Sequence, residues 1–258
     1  MRRSERHTYI LNQLLTHHSV NVTDLCKALR VSDMTIRRDL TEMDRDGLLK
    51  RVHGGAVSRQ GLSYEPPFFL RQNQQRESKE RIGRKAAEQV IDGDTIALDV
   101  GTTALEIARA LRVRRNLTIV TASLQVANEI VSNSALDSGT RLIITGGMVR
   151  PGELSLVGPY AEHIYHDLHV DKAFIGVAGI HLRTGVTEYN LEDAQVKRAM
   201  LATANKVIAA ADGSKFGHTA FASVCDLDVI DAVITDSSAD PDTISGLRAQ
   251  GIEIIYSD

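Results

Sequence analysis

The apolar residues near the start of the chain recur at helical spacing. Ile10 and Leu14 are four residues apart, and so are Leu25 and Leu29, which predicts two short helices. A third helix follows, and a stretch that alternates around Gly54-Gly55 predicts a hairpin. The helices are predicted over residues 4–17, 23–29 and 33–46, and the hairpin over residues 48–57. Three short helices followed by a hairpin indicate a winged helix-turn-helix domain.

Beyond this region the pattern changes from helices alone to short strands that alternate with helices. A helix is predicted over 76–91, and after it come runs rich in β-branched and aliphatic residues, separated by helical segments. These runs cover residues 95–100, 117–121, 141–145, 172–177, 206–211 and 229–235, with 252–255 as a further candidate. Such an order predicts an α/β fold with a mostly parallel sheet covered by helices on both faces.

The stretch between these two regions contains a glycine, two consecutive prolines and several polar residues, which predicts a linker. The apolar part of this stretch, Pro66–Phe69, is a candidate for docking on one of the domains. We therefore expect a winged helix-turn-helix domain over residues 1–57, a linker over 58–75 and an α/β domain over 76–258.

Composition limits the class of protein. The chain has 258 residues, of which 43% are hydrophobic and 24% charged, as in ordinary soluble globular proteins. The longest apolar stretch, 173–180, is too short to span a bilayer, and no apolar run of the secretory type follows the charged N-terminus. The two cysteines, Cys26 and Cys225, lie far apart. We expect a reduced, cytoplasmic protein with no membrane partner and no disulfide framework.

The net charge of −3 conceals an asymmetry between the two regions. Residues 1–59 carry 11 Lys and Arg against 7 Asp and Glu, a net charge of +4. The rest of the chain carries 19 against 26, a net charge of −7. A small basic domain joined to a larger acidic one indicates a polyanionic partner for the first domain only.

The third helix has the features of a helix that enters the major groove of DNA. On a helical wheel Ile36, Leu40 and Met43 share one narrow sector, which predicts the buried face. Arginines, a threonine and a methionine lie opposite, and the hairpin adds cations that can follow a phosphate backbone. The predicted DNA-binding residues are Ser32 as the N-cap, Met34, Thr35, Arg37, Arg38, Thr41 and Arg45 on the helix, and Lys50, Arg51 and His53 on the hairpin.

An alternative is that Arg37-Arg38 only solvates an exposed helix. The pair follows an N-cap, lies opposite a clean apolar face and precedes a basic hairpin, and this combination favours binding to a double-stranded DNA operator.

Three strands of the second domain end in small or hydroxyl-bearing residues. The carboxyl ends of parallel strands meet at one edge of a sheet, where ligands bind, and helix N-termini there attract anions. The strand ends supply Asp99, Gly101, Thr102, Thr103, Thr121, Ser123, Gly146 and Gly147, and a later strand end supplies Asp212 and Lys215. Motifs for nucleoside triphosphates and dinucleotides are absent from the sequence. A phosphate ester is therefore the predicted ligand.

At this point the sequence resembles a known family. The run Val31–Leu40 (VSDMTIRRDL), then Gly47 and Arg51–Ala56 (RVHGGA), resembles the N-terminal signature of the DeoR family of bacterial transcriptional regulators. The segments 99–103, 145–147, 171–176 and 212–217 resemble the sensor domain of that family. Ala122 is a departure, because the family often has Asn there.

The resemblance implies a sensor domain similar in fold to ribose-5-phosphate isomerase, which binds a phosphorylated sugar and adds Gly176 to the effector-binding residues. It also implies operator contacts by Arg37 and Arg38. The predicted function is a transcriptional regulator, most simply a repressor, of a carbohydrate-catabolism operon. Helix-turn-helix proteins read paired half-sites, so a homo-oligomer, dimer or tetramer, is expected.

Several alternatives stay open. Glu188, Glu192, Asp193 and Lys197 resemble the acid–base groups of an aldose–ketose isomerase, but helix-dipole compensation and an Asp193–Lys197 pair four residues apart are the favoured interpretation. Glu188 remains a candidate to line the pocket. The histidines His163, His166 and His169 lack a fourth ligand, so no metal or other cofactor is expected. The alternative functions are a sugar-phosphate isomerase with a DNA-binding module, and a second domain that only dimerises.

Overall fold

The computed structural model describes residues 2–58, 61–133 and 135–258. The chain forms two compact units, residues 1–71 and 72–258. Among the described residues no helix combines the length and apolar character that a bilayer crossing requires.

The described residues of the first unit up to Ser58 form three helices and a small antiparallel sheet. These elements are α1 (Arg3–His17), β1 (Ser19–Asn21), α2 (Val22–Leu29), α3 (Asp33–Arg45), β2 (Lys50–Val52) and β3 (Gly55–Val57), with the sheet order β1-β3-β2. Ile36, Leu40 and Met43 are fully buried in its apolar core, so the wheel assigned the inward face of α3 correctly. Strand β1, which the sequence did not predict, adds a third strand to the predicted hairpin.

The interval predicted as a linker is helical over part of its length. Helix α4 (Phe68–Asn73) lies within it, and the Leu70 side chain, only 1% exposed, packs into the apolar core of the first unit. The polar composition and the two prolines gave no sequence signal for this helix or for the packing of Leu70.

The second unit is a seven-stranded parallel sheet with helices on both faces, which confirms the predicted α/β fold. Its helices are α5 (Arg76–Glu88), α6 (Thr102–Ala110), α7 (Leu124–Ser132), α8 (Pro159–His166), α9 (Leu191–Leu201) and α10 (Pro241–Ala249). The sheet strands are β4 (Thr95–Leu98), β5 (Thr118–Thr121), β6 (Arg141–Ile144), β9 (Val170–Ile175), β12 (Ala204–Ala210), β14 (Ala232–Thr235) and β15 (Glu253–Tyr256).

Successive side chains of each strand face opposite sides of the sheet and belong to different cores. Ile96 and Leu98 pack with helices α5 to α7, while Ala97 between them packs with helices α8 to α10. Both cores are apolar, which explains why these strands are continuous apolar runs in the sequence.

The order of the strands is β15-β14-β12-β9-β4-β5-β6. From β4 the chain proceeds to β5 and β6 on one side, and from β9 it proceeds to β12, β14 and β15 on the other. The neighbours β4 and β9 therefore flank a topological switch point, and ligands of open α/β sheets bind outside the carboxyl ends of the strands at such a point. Asp99 directly follows β4, and Gly176 directly follows β9.

In the described part of the second unit, five short strands lie outside the large sheet. They are β7 (Met148–Arg150), β8 (Ser155–Val157), β10 (Gly179–His181), β11 (Gly185–Glu188) and β13 (Ala222–Cys225). Strands β7 and β8 form a hairpin that lies over the carboxyl end of β5, since the Leu156 amide donates to the Ala122 carbonyl at 2.7 Å. Strands β10, β11 and β13 form an antiparallel sheet that carries Glu188.

Candidate functional site

Helix α3 begins at the predicted cap and presents the predicted outer face. The Ser32 hydroxyl accepts from the Thr35 amide at 3.3 Å, and Met34 is 81% exposed. Arg38 is exposed, and its guanidinium has no hydrogen-bond or ion-pair partner within the described part of the chain. Five N–H donors on Arg38 are therefore available to a partner outside the chain.

The other polar residues of this face contact one another. Arg37 forms an ion pair with Asp33, one turn earlier, and Arg45 lies 3.2 Å from Asp46. The Thr41 hydroxyl donates to the Arg37 carbonyl at 2.7 Å and accepts from Arg51 at 2.9 Å, which connects the hairpin to the helix. The two remaining hairpin residues, Lys50 and His53, are exposed.

Sequence reasoning missed the buried ion pair that fixes α3. Asp39 lies within the apolar face of α3 and is 3% exposed. Both of its oxygens accept from the Arg6 guanidinium of α1, at 2.7 and 3.0 Å, and His7 lies 3.4 Å away. An acidic residue placed between Ile36 and Met43 was the available signal, because a carboxylate on a buried face needs a cationic partner.

At the switch point a buried lysine joins three segments. The Lys197 ammonium lies 2.8 Å from Asp99, 2.8 Å from Glu188 and 2.6 Å from the Gly176 carbonyl. The Asp99 carboxylate also accepts from the Gly176 amide at 2.8 Å. An ammonium has three N–H donors, so these three acceptors saturate Lys197. It therefore holds the ends of β4, β9 and β11 together.

This arrangement corrects the predicted pairing of Lys197 with Asp193. Asp193 is 4% exposed and forms its ion pair with Arg150 of the β7–β8 hairpin. Helical spacing allowed the Asp193–Lys197 pair, but the two side chains serve different neighbours because both are buried between elements. Asp99 and Glu188, two of the three carboxylates predicted for the effector site, do come together around Lys197.

Burial and the surrounding charges set the ionisation of this cluster. Burial raises the pKa of the Asp99 carboxyl above its usual value, and the Lys197 ammonium opposes this rise only in part. Burial lowers the pKa of Lys197, but the two carboxylates outweigh that effect and raise it above its usual value. Lys197 therefore stays charged near neutral pH.

The start of α6 lies beside this cluster. Gly101 precedes the helix with φ 97° and ψ 178°, a conformation that is essentially restricted to glycine. Thr102 is buried, while Gly101 and Thr103 are partly exposed. The free N–H groups of the first turn carry positive partial charge, as an anion site requires.

The structure does not bring Thr121 and Ser123 to an open surface, which corrects their assignment to the effector site. Thr121 is 0% and Ser123 1% exposed. The Thr121 hydroxyl accepts from the Ser123 amide, and the Ser123 hydroxyl accepts from the Val126 amide, both at 3.1 Å. These residues cap helix α7 and lie beneath the β7–β8 hairpin, which the sequence did not predict.

The remaining predicted residues lie at the same carboxyl edge of the sheet. Gly146 and Gly147 are exposed, with φ values of 75° and 112°. The Asp212 carboxylate is buried and accepts from the Ser214 amide at 3.1 Å, so one of its oxygens belongs to the turn. Lys215 is partly exposed, and within the described ranges its ammonium has no hydrogen-bond or ion-pair partner.

A tyrosine that the sequence did not single out also lies near the cluster. Tyr165 of α8 is 1% exposed, and its hydroxyl has no hydrogen-bond partner among the described residues. Burial, together with the negative charge of Asp99, raises its pKa above the usual value. No group of three or more His, Cys, Asp and Glu side chains in the described ranges is arranged to hold a metal ion.

Comparison with known proteins covers both units. Residues 6–61 match the DeoR-like helix-turn-helix domain, and residues 74–237 match the DeoR C terminal sensor domain. The putative aga operon transcriptional repressor of Escherichia coli O157:H7 is 33% identical over 254 residues, 98% of this chain and 93% of that protein. The glycerol-3-phosphate regulon repressor of Escherichia coli K12 is 33% identical over 237 residues, 92% of each chain.

Among solved structures, ribose 5-phosphate isomerase A from Methanocaldococcus jannaschii matches with a TM-score of 0.41 and 18% identity, over 55% of each chain. The two domain matches together span most of the sequence, and the repressors are similar along nearly their whole length. The chain therefore belongs to the DeoR family of DNA-binding transcriptional regulators.

Proposed function

We propose that this protein represses an operon for carbohydrate use and that a phosphorylated sugar, bound outside the carboxyl ends of β4 and β9, controls its affinity for the operator. The names of the two repressors support the metabolic assignment. The observation that supports the sensing half is the strand order, which places the start of α6, the Lys197 cluster and Lys215 after the carboxyl ends of three neighbouring strands, β4, β9 and β12.

On the DNA side, α3 enters the major groove and the β2–β3 hairpin follows the phosphate backbone. Arg38 and Met34 contact bases, because they are exposed and not engaged by the chain, while Lys50, Arg51 and His53 lie along phosphates. Ser32, Thr35, Arg37, Thr41 and Arg45 complete the interface. Since helix-turn-helix proteins read paired half-sites, the protein binds its operator as a homo-oligomer in the cytoplasm.

On the sensor side, the phosphate lies against the N-terminus of α6, near Gly101, Thr102 and Thr103, and Lys215 neutralises it. Glu188 and Asp99 accept from sugar hydroxyls, and Gly176, Gly146 and Gly147 leave room for close approach. The Asp212 oxygen not bonded to Ser214 is a further acceptor.

The experiment that tests the whole function measures operator binding with and without sugar phosphates. The duplex is one that the wild-type protein selects from a random pool, and ribose 5-phosphate and glucose 6-phosphate are the probes, with ribose and glucose as controls. A change in operator affinity with a phosphorylated probe alone supports the proposal. Operator binding without any response, and no thermal shift with either probe, would favour a second unit that only dimerises.

Sugar-phosphate isomerisation is the second candidate, because the buried Asp99 and Lys197 and the partly buried Glu188 lie together at the ends of the strands. We favour sensing because the three donors of Lys197 are already satisfied within the chain, which leaves no donor to polarise a substrate. The protein is accordingly proposed to lack enzyme activity and to need no cofactor. Turnover of ribose 5-phosphate by the full chain would reverse this choice.

A further inference from the structure

A single buried carboxylate joins three separate parts of the second unit. Asp236 follows β14 at the carboxyl edge of the sheet and is 4% exposed. One of its oxygens accepts from the Gly213 amide at 3.3 Å and from the Ser78 hydroxyl. The other accepts from the Ser238 amide at 2.9 Å and from the Ser238 hydroxyl. The first of these oxygens, Oδ2, thus contacts both the turn after β12 and helix α5.

The turn after β12 packs closely against the turn that carries Asp236. Gly213 is packed so closely that a Cβ atom there would lie 2.3 Å from the Ser238 hydroxyl and 2.5 Å from the Ala239 amide nitrogen. Lys215 is two residues further along the same turn. The turn that carries Lys215 therefore contacts the Ser238–Ala239 segment, which begins two residues after Asp236.

The hydrogen bond from Ser78 to Asp236 is made by the first turn of helix α5. Ser78 is 6% exposed, and the next residue, Lys79, is 4% exposed. The Lys79 ammonium donates to the Gln74 carbonyl at 2.8 Å, so the segment ahead of α5 is fastened to the same turn of the helix. Gln74 is three positions beyond Arg71, the last residue of the DNA-binding unit.

We infer that Asp236 is a positioning residue that transmits the state of the Gly213–Lys215 turn through Ser78 to the start of α5, and so to the segment that enters the DNA-binding unit. This inference rests on the proposed function for the ligand at Lys215, and it goes further in assigning the route of regulation. A phosphate-induced shift of the turn must change the Asp236–Ser78 bond, because the two partners share one oxygen of the carboxylate.

The chain offers a matched pair of variants. Ser78→Ala and Ser238→Ala each remove one hydroxyl that donates to Asp236, but only Ser78 lies on α5. Hydrogen exchange on the full chain, without ligand or DNA, is the first measurement. We expect the amides of residues 72–80 to exchange at least about threefold faster in Ser78→Ala and unchanged in Ser238→Ala. Equal changes in exchange rate in the two variants, or no change in Ser78→Ala, would overturn the inference that Asp236 acts on α5 through Ser78.

The second measurement is the ratio of operator affinities with and without ribose 5-phosphate or glucose 6-phosphate. Coupling residues modulate such ratios by roughly 2- to 30-fold. We expect Ser78→Ala to lower the ratio by at least about threefold, with ligand-free operator affinity and probe affinity near wild type, and Ser238→Ala to keep it. An unchanged ratio in Ser78→Ala overturns the inference. If neither probe changes the operator affinity of the wild-type protein, the sensing function is refuted instead. The hydrogen-exchange measurement, which needs no ligand, then still tests the connection from Asp236 through Ser78 to α5.

Discussion

The ammonium of Lys197 lies 2.8 Å from the Asp99 carboxylate, and both side chains are almost completely buried, at 1% and 5% exposure. Lys197 also contacts Glu188 and the Gly176 carbonyl, so one ammonium joins the ends of β4, β9 and β11. Without Lys197, the Asp99 and Glu188 carboxylates would lack a counter-charge, and we expect the three strand ends to be held together less firmly.

Lys197→Met tests this dependence. Because Asp99 and Glu188 lose their buried counter-charge, we expect the free energy of unfolding to fall by about 3–5 kcal/mol. Urea denaturation at pH 7 measures it. Lys206→Met is the control, since Lys206 forms an exposed pair with Glu253 and its loss should cost at most about 1 kcal/mol. Similar losses in the two variants would show that the cluster contributes nothing special.

Asp39 fixes helix α3 onto α1 through Arg6, and its removal should loosen the DNA-reading helix. For Asp39→Asn we expect a loss of roughly 1.5–3 kcal/mol, typical of hydrogen bonds to a charged group. Hydrogen exchange should show the loss in residues 3–45 and leave the second unit unchanged. Asp44→Asn, on the same helix and partly exposed, is the control. Wild-type protection of α3 in Asp39→Asn would contradict the prediction.

The Arg37 guanidinium donates to the Asp33 carboxylate, and this hydrogen bond lowers the pKa of Asp33 below its usual value. Both groups are exposed, so DNA can take Arg37 away from Asp33 at small cost. We expect Asp33→Asn to tighten operator binding by about two- to fivefold at low salt, and less at high salt. Fluorescence anisotropy at two salt concentrations measures this. The gain should vanish in an Arg37→Ala background; persistence there would mean that Asp33 acts on DNA directly.

Arg38→Ala should weaken operator binding by one to two powers of ten, as expected for a lost base contact of about 1–3 kcal/mol. Arg84→Ala removes the same charge from an exposed position on α5 and is the control. Equal affinities and equal salt slopes for Arg38→Ala and wild type would mean that α3 is not the reading helix.

The stability contributed by Asp236 should depend on pH. Burial opposes its ionisation, but hydrogen bonds from Ser238 and Ser78 outweigh burial and lower its pKa. The folded state therefore binds its proton less readily than the unfolded state, in which the pKa is about 3.9. The gap in unfolding free energy between wild type and Asp236→Asn should be constant from about pH 7 to 5 and shrink below about pH 4. A gap that widens on acidification would contradict this assignment.

Much of the fold could be predicted because each buried strand of the large sheet is an apolar run of its own. The β7–β8 hairpin could not, since Met148 and Val149 are exposed and follow two glycines, a pattern typical of loops. That omission placed Thr121 and Ser123 in the effector site. Lys197 was paired with Asp193 because helical spacing reports only neighbours on one helix, whereas its partners Asp99 and Glu188 lie on other segments.

The place of Leu70 in the first core bears on how the DNA-binding unit can be isolated. A fragment cut at residue 57, where the apolar pattern of the hairpin ends, would lack this side chain and leave a gap in the apolar core of the first unit. A fragment that extends to Arg71 retains the Leu70 side chain. Fragments of these two lengths should differ in melting temperature by several degrees, since a missing buried leucine leaves a cavity.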